Sequence, residues 1–168
     1  MLTRTSLLLF IALLGTTPAN AQQITLGWAT ETVPANNRLR TAVGGGAFLL
    51  GTGSNSAVIQ RVSAAGSILW TKTLQAPTLY AIDMDVDGSN NIYVYVGFTT
   101  GQLDLDPGPL TTLVNPGKAN AKYNSNGQFQ WGFSIENSTD LSEDYGAVSV
   151  DDAGNRLRRQ RIAIEAAL

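Results

Sequence analysis

The chain has 168 residues, of which 43% are apolar, 14% charged and 8% aromatic. It holds 17 Gly and no His or Cys. That rules out a Ser-His or Cys-His nucleophile pair, a disulfide framework and any metal site built on imidazole or thiolate. The charged fraction lies below the usual value of about 25%, and a chain rich in Gly, Thr, Ser and Asn suits short strands joined by turns better than a helical bundle.

In chain order, residues 1–21 read as a secretory signal peptide. Arg4 supplies a positive start, Leu7 to Leu14 form an apolar run, Gly15 and Pro18 break it, and Ala19-Asn20-Ala21 fits the small-x-small cleavage rule, so cleavage is expected before Gln22. The run is too short to span a bilayer, which takes about 20 apolar residues. No later stretch could span one either, so the expected location is secreted or cell surface. Residues 22–155 carry six basic and twelve acidic side chains, a net of −6, whereas residues 156–168 carry four Arg against Glu165. An acidic body does not attract nucleic acid. The tail's four Arg lack the interleaved aromatics of a nucleic-acid binder.

Repetition then organises residues 22–155. Ile24–Trp28, Gly66–Trp70 and Gly127–Trp131 each end a short alternating run on Trp. Tyr80–Asn91 pairs with Tyr145–Asn155, as Tyr, an alternating run, Asp and a Gly/Asn turn, and Val58–Gly66 pairs with Ala119–Gly127. Gln22 to Val33 has the look of a lone outer strand. The first full unit predicts strands at Thr41 to Val43, Ala47 to Thr52, Ala57 to Val62 and Ser67 to Leu74. The second predicts Tyr80 to Val86, Asn91 to Phe98, Asn120 to Tyr123 and Gln128 to Ser134, with a long polar loop from Thr99 to Gly117. Asn126-Gly127 is the strongest hairpin signal in the chain. Four short antiparallel strands per repeat predict an all-β fold: an incomplete β-propeller of about two blades plus the N-terminal outer strand. The expected core is Trp28, Phe48, Leu50, Ile59, Ile68, Trp70, Ile82, Ile92, Val94, Val96, Tyr123, Phe129, Trp131, Ile135, Val148 and Val150.

Asp87–Gly101 (DGSNNIYVYVGFTTG), Leu103–Pro109 (LDLDPGP) and Ala121–Ile135 (AKYNSNGQFQWGFSI) resemble the SBBP-type β-propeller repeats of secreted and outer-surface bacterial proteins. The resemblance is specific over roughly residues 78–155 and weaker over 24–74. It implies that another IYVxG strand should follow the Asp152–Asn155 turn. RLRRQRIAIEAAL stands there instead, so residues 156–168 are expected to lie outside the sheet as a frayed helix or coil, and the chain is expected to be a truncated or frameshifted N-terminal fragment. A propeller needs about four to eight blades to close.

Asp83-Met-Asp85-Val-Asp87-Gly88 matches the start of a calcium loop, in which alternate carboxylates and a glycine let the chain wrap a hard cation. Asp83, Asp85 and Asp87 are therefore the candidate Ca²⁺ ligands. The twelfth position is Val94 rather than a bidentate Glu, and outward Asp on a strand explains the pattern equally well. Asp104-Leu-Asp106-Pro107-Gly108 reads as a turn or a weaker metal loop. Asp140, Glu143 and Asp144 could pair as glycosidase carboxylates but read better as a solvated acidic loop. The tryptophans suit packing between blades better than a sugar-stacking row, and Asn137-Ser138-Thr139 is a glycosylation sequon.

These readings converge on a non-catalytic secreted or cell-surface binding or scaffold module. It has no catalytic or organic-cofactor residues, and its partner is an extracellular protein or polysaccharide. The alternatives are an exported carbohydrate-active hydrolase or lyase whose catalytic blades are missing, and a gene remnant without activity.

Overall fold

The structure is a computed structural model that describes residues 38–136, 147–154 and 156–159, for Glu136 and 156–159 in backbone only. The described residues are all-β, without a helix. Strands β1 (Arg38–Thr41), β2 (Ala47–Gly53), β3 (Ser56–Val62) and β4 (Ile68–Gln75) form a first antiparallel sheet in sequence order. A second sheet joins β5 (Tyr80–Val86), β6 (Ile92–Phe98), β9 (Gly117–Tyr123) and β10 (Phe129–Glu136), again in chain order. Between β6 and β9 the chain makes a small hairpin of β7 (Leu103–Asp104) and β8 (Leu113–Val114). Strands β11 (Ala147–Val150) and β12 (Arg156–Arg159) pair antiparallel as a third, two-stranded sheet.

Alternation along each strand sends its apolar side chains to opposite faces, and the sheets stack on those faces. One core joins the first two sheets through Phe48, Leu50, Ile59 and Leu74 on one side and Met84, Ile92, Val94, Val96 and Tyr123 on the other. A second joins the second and third sheets through Ile82, Tyr93, Tyr95 and Val148, with Trp131, Ile135 and Val150 packed at its margin. The second sheet is thus covered on both sides, which is why all seven residues of β6 are buried and why its sequence, IYVYVGF, is continuously apolar rather than alternating.

The repeat has a three-dimensional counterpart. In the first sheet Arg61 lies opposite both Phe48 and Trp70, its guanidinium carbon 5.3 Å from the Phe48 ring centre, and the two rings meet at 6.1 Å and 58°. In the second, Lys122 lies opposite Tyr93 and Trp131, its Nζ 4.9 Å from the Tyr93 ring centre, and the rings meet at 5.9 Å and 62°. The cations Arg61 and Lys122 and the indoles Trp70 and Trp131 each stand 61 residues apart, and the rings Phe48 and Tyr93 stand 45 apart, in equivalent cross-strand positions.

Three expectations are corrected. Ile68 is 48% exposed rather than core. A register shift between Arg61 and Val62 pairs Trp70 with Arg61 but Ile68 with Val62, so the bulge turns Ile68 to the face opposite Trp70. The Thr99–Gly117 loop is not simply polar, because its β7–β8 hairpin drives Leu103 and Leu105 fully into the first core. Residues 156–168 do not all lie outside the sheet, since Arg156–Arg159 pair with Val150 through Ala147. Gly154, with φ +80° and its N–H on the Asp151 carbonyl at 2.9 Å, makes the turn that brings them there. The outer strand at Gln22 to Val33, Trp28 and residues 160–168 lie outside the described residues.

Candidate functional site

Asp83 and Asp85 sit on β5, the edge strand of the second sheet, where residues two apart share a face, and Asp87 follows its end. Asp83 and Asp85 therefore project together. The Asp83 carboxylate accepts the Val148 N–H through Oδ2 (3.2 Å), while Oδ1 lies 3.6 Å from Arg38 Nε and 3.8 Å from Arg40 Nη2. Asp85 repeats the pattern one step on, with Oδ2 accepting the Val150 N–H (2.9 Å) and Oδ1 accepting Arg40 Nε–H (3.1 Å). Val148 and Val150 belong to β11, whose other side pairs with β12. The two carboxylates thus take the place of a neighbouring strand along β11, satisfying backbone donors that an edge would otherwise leave open. They bind the first strands of three successive sheets: β1 by ion pairs, β5 covalently and β11 by hydrogen bonds.

Asp87 turns away into its own turn. Its Oδ1 accepts the N–H groups of Ser89 and Asn91, both at 2.9 Å, and its Oδ2 accepts Asn91 Nδ2–H (2.8 Å) and Tyr93 O–H (3.1 Å), with Lys122 Nζ 3.9 Å away. Burial pushes this carboxyl up, but the Asn91, Ser89 and Tyr93 hydrogen bonds outweigh it and hold the group below its ordinary value. The three candidate calcium ligands do not converge on one another here. Among the described residues no three His, Cys, Asp or Glu gather as a group that could hold a metal ion. The physical reason is that an extended strand separates Asp83 and Asp85 and aims both at β1 and β11, while the Asx turn claims Asp87.

The Asp104–Gly108 turn is likewise occupied by its own backbone. Asp104 Oδ1 accepts the N–H groups of Asp106 and Thr112, each at 2.9 Å. Trp70 and Trp131 are half-buried between sheets, consistent with packing, and Trp131 stacks on Phe133 at 5.6 Å. Asp140, Glu143, Asp144 and the Asn137 sequon lie outside the described residues. Arg38, Arg40, Tyr93 and Lys122 escaped the sequence reading. The signal available was the match of Arg38-x-Arg40 to Asp83-x-Asp85, opposite charges at the same spacing on the first strands of successive units.

Asp85→Ala is expected to speed amide exchange at Val150 and to cost about 1–2 kcal/mol, since it removes hydrogen bonds to a charged but partly exposed carboxylate. Unchanged exchange at both Val148 and Val150 would show that the carboxylates do not hold β11.

Compared with known families, curated proteins and solved structures, the chain matches none.

Proposed function

We propose that the chain is a non-catalytic, exported β-propeller module that serves as a binding or scaffold element outside the cell. The observation that carries this reading is the Asp83–Asp85 bridge across β1, β5 and β11. β1 and β11 both lie against β5, so the first strands of the three sheets come together, as those of propeller blades do. The equivalent Phe48–Arg61–Trp70 and Tyr93–Lys122–Trp131 clusters support the same repeat. The resemblance to SBBP-type repeats and the signal-peptide pattern of residues 1–21 support a secreted or cell-surface location. Carboxylates committed to backbone donors favour a structural role for the acidic triplet over catalysis. Ligand choice in such folds lies with surface loops, and the candidate partner is an extracellular protein or polysaccharide.

Expressed with its own leader, the protein is expected outside the cytoplasm with Gln22 as its first residue. Mass spectrometry finding intact Met1 in exported material would overturn the export reading. The purified chain is expected to release no reducing ends from a panel of polysaccharides. Turnover abolished by Asp or Glu substitution would replace the binding module with a hydrolase or lyase.

A further inference from the structure

Asn126 precedes Gly127 in the turn between β9 and β10. Asn is among the chemically labile residues, and a following glycine leaves its peptide nitrogen free to approach the carboxamide without a side chain in the way. Asn126 is exposed and bonds through its backbone N–H, which donates to Asn124 Oδ1 at 3.0 Å, leaving its carboxamide unheld among the described residues. The other asparagines of the described residues are constrained. Asn55 Oδ1 accepts the Thr78 N–H, Asn90 bonds both backbone groups of Val43, and Asn91 Nδ2 donates to Asp87. Asn124 Oδ1 accepts the Gln128 N–H and its Nδ2 donates to Gln128 Oε1. Asn115 precedes Pro116, which has no N–H, and Asn120 is half-buried on an inner strand of the second sheet.

The nitrogen that would attack the Asn126 carboxamide is held in place. Gly127 N–H donates to the Asn124 carbonyl at 2.9 Å, closing the turn. Gly127 itself, at φ +76°, is buried against the indole, and a Cβ there would fall 3.0 Å from Trp70 Cδ2. One residue before Asn126, the Ser125 carbonyl accepts Arg61 Nη1–H and, at 3.0 Å, Trp70 Nε1–H. Arg61 and Trp70 flank the β3–β4 ladder of the first sheet, whereas the turn belongs to the second. The turn thus fixes the reacting peptide, and the contact between two sheets fixes the turn. A hydrogen bond to the protonated nitrogen also disfavours loss of its proton.

We propose that Asn126–Gly127 is a succinimide-forming deamidation site gated by the Arg61–Trp70 clamp, reacting from the open turn and inert in the seated one. The site stands independently of the exported-module reading. With the turn open, hydroxide removes the Gly127 N–H proton and the nitrogen attacks Asn126 Cγ. The N–Cγ bond forms, the Cγ–Nδ2 bond breaks, and Nδ2 takes a proton from water and leaves as ammonia, which regenerates the hydroxide. Water then opens the ring at either carbonyl, giving aspartate or isoaspartate. Water is consumed and ammonia released, with no change of oxidation state. The isoaspartate route lengthens the main chain by one carbon between Asn126 Cα and Gly127 and leaves a carboxylate on that Cα. The Ser125 carbonyl and Gly127 then no longer fit the indole in their present register. A chain whose first two sheets have parted is thereby marked and kept from closing as before.

The full chain is incubated in mildly alkaline heavy-oxygen water, and peptide mapping reads the heavy oxygen gained at residue 126. Conversion is expected to be slow in the folded chain, and Asn126 is expected to convert fastest of all asparagines once the chain is unfolded in urea. Trp70→Phe keeps a ring over Gly127 but drops the indole N–H, and Arg61→Met drops the guanidinium. Each is expected to speed conversion of the folded chain about five- to tenfold, the effect of losing one hydrogen bond that opposes local opening. Amide exchange at Gly127 needs the same opening. In the parent chain alone, low urea should therefore raise exchange and conversion in proportion, which tests the gate even where a variant fails to fold. Conversion as fast in the folded parent as in the unfolded chain would overturn the gate. So would folded variants that convert no faster than the parent, or conversion that rises with urea while Gly127 exchange does not. Another asparagine converting ahead of Asn126 in the unfolded chain would remove the site itself.

Discussion

Replacing Tyr123 with alanine is expected to lower stability by about 3–5 kcal/mol, the range for emptying a buried aromatic site. Tyr123 is 0% exposed in the core between the first two sheets. Its ring meets Phe129 edge-on at 5.9 Å and 65°, and Lys72 Nζ lies 5.2 Å from its centre. Its hydroxyl donates to the Leu105 carbonyl at 2.6 Å, tying the β7–β8 hairpin to β9. Tyr123→Phe isolates that last function. It keeps the packing but leaves a buried carbonyl unmatched, at a cost of about 1–3 kcal/mol. Amide exchange should then quicken at Leu105, whose N–H bonds the Thr112 carbonyl, before it quickens in β6.

Burial pushes the Tyr123 phenol far above its ordinary value, and the Asp106 and Asp104 carboxylates add to the effect. The folded state thus keeps a proton that the unfolded chain loses above about pH 10, so stability falls as pH rises beyond that point. Urea titrations should show this alkaline fall in the parent chain and a shallower one in Tyr123→Phe. A loss below about 1 kcal/mol for Tyr123→Ala would place the ring outside the stabilising core.

Much of this architecture was legible because the signals were local. The β-branched and aromatic run at Asn91 to Phe98 and the Asn126-Gly127 turn need no tertiary information, and they fix a doubly covered strand and a hairpin. The misread positions depend on partners distant in sequence. Ile68 follows the two-residue period with Trp70, and only the bulge opposite Val62 reverses it. Leu103 and Leu105 alternate with Asp104 and Asp106, but Pro107, Pro109 and two nearby glycines made a loop the better local reading. Their burial comes from β9 and β4 closing over them. Asp83 and Asp85 carry alternate carboxylates whether they serve a cation or the N–H groups of a strand 65 residues away. The arginine-rich RLRR segment has weak strand propensity, yet the ladder offered by β11 and the Gly154 turn decide its conformation, as context often does in sheets.

Asp87 is where turn and sheet meet, and Asp87→Ala is expected to cost about 3 kcal/mol by removing a buried anion from its donors. The residue is 4% exposed. Its loss leaves the N–H groups of Ser89 and Asn91 without their acceptor and removes the anion 3.9 Å from Lys122. Tyr93 keeps the Gly154 carbonyl at 3.2 Å, so its hydroxyl is not stranded, and the effect should centre on the β5–β6 turn. The pH dependence follows from the lowered carboxyl. Above the unfolded value of about 3.9 both states are ionised and the stabilisation is complete. As pH falls, the unfolded chain takes up the proton first, and the contribution is lost through the lowered folded-state value. Asp87→Asn separates charge from shape, since an amide oxygen can still accept from the Ser89 and Asn91 backbone. Its urea midpoint should fall less than that of Asp87→Ala at neutral pH. Below about pH 4 its stability should decline less steeply than the parent's. Equal acid slopes in parent and Asp87→Asn would assign the acid sensitivity to other carboxylates and remove Asp87 as its source.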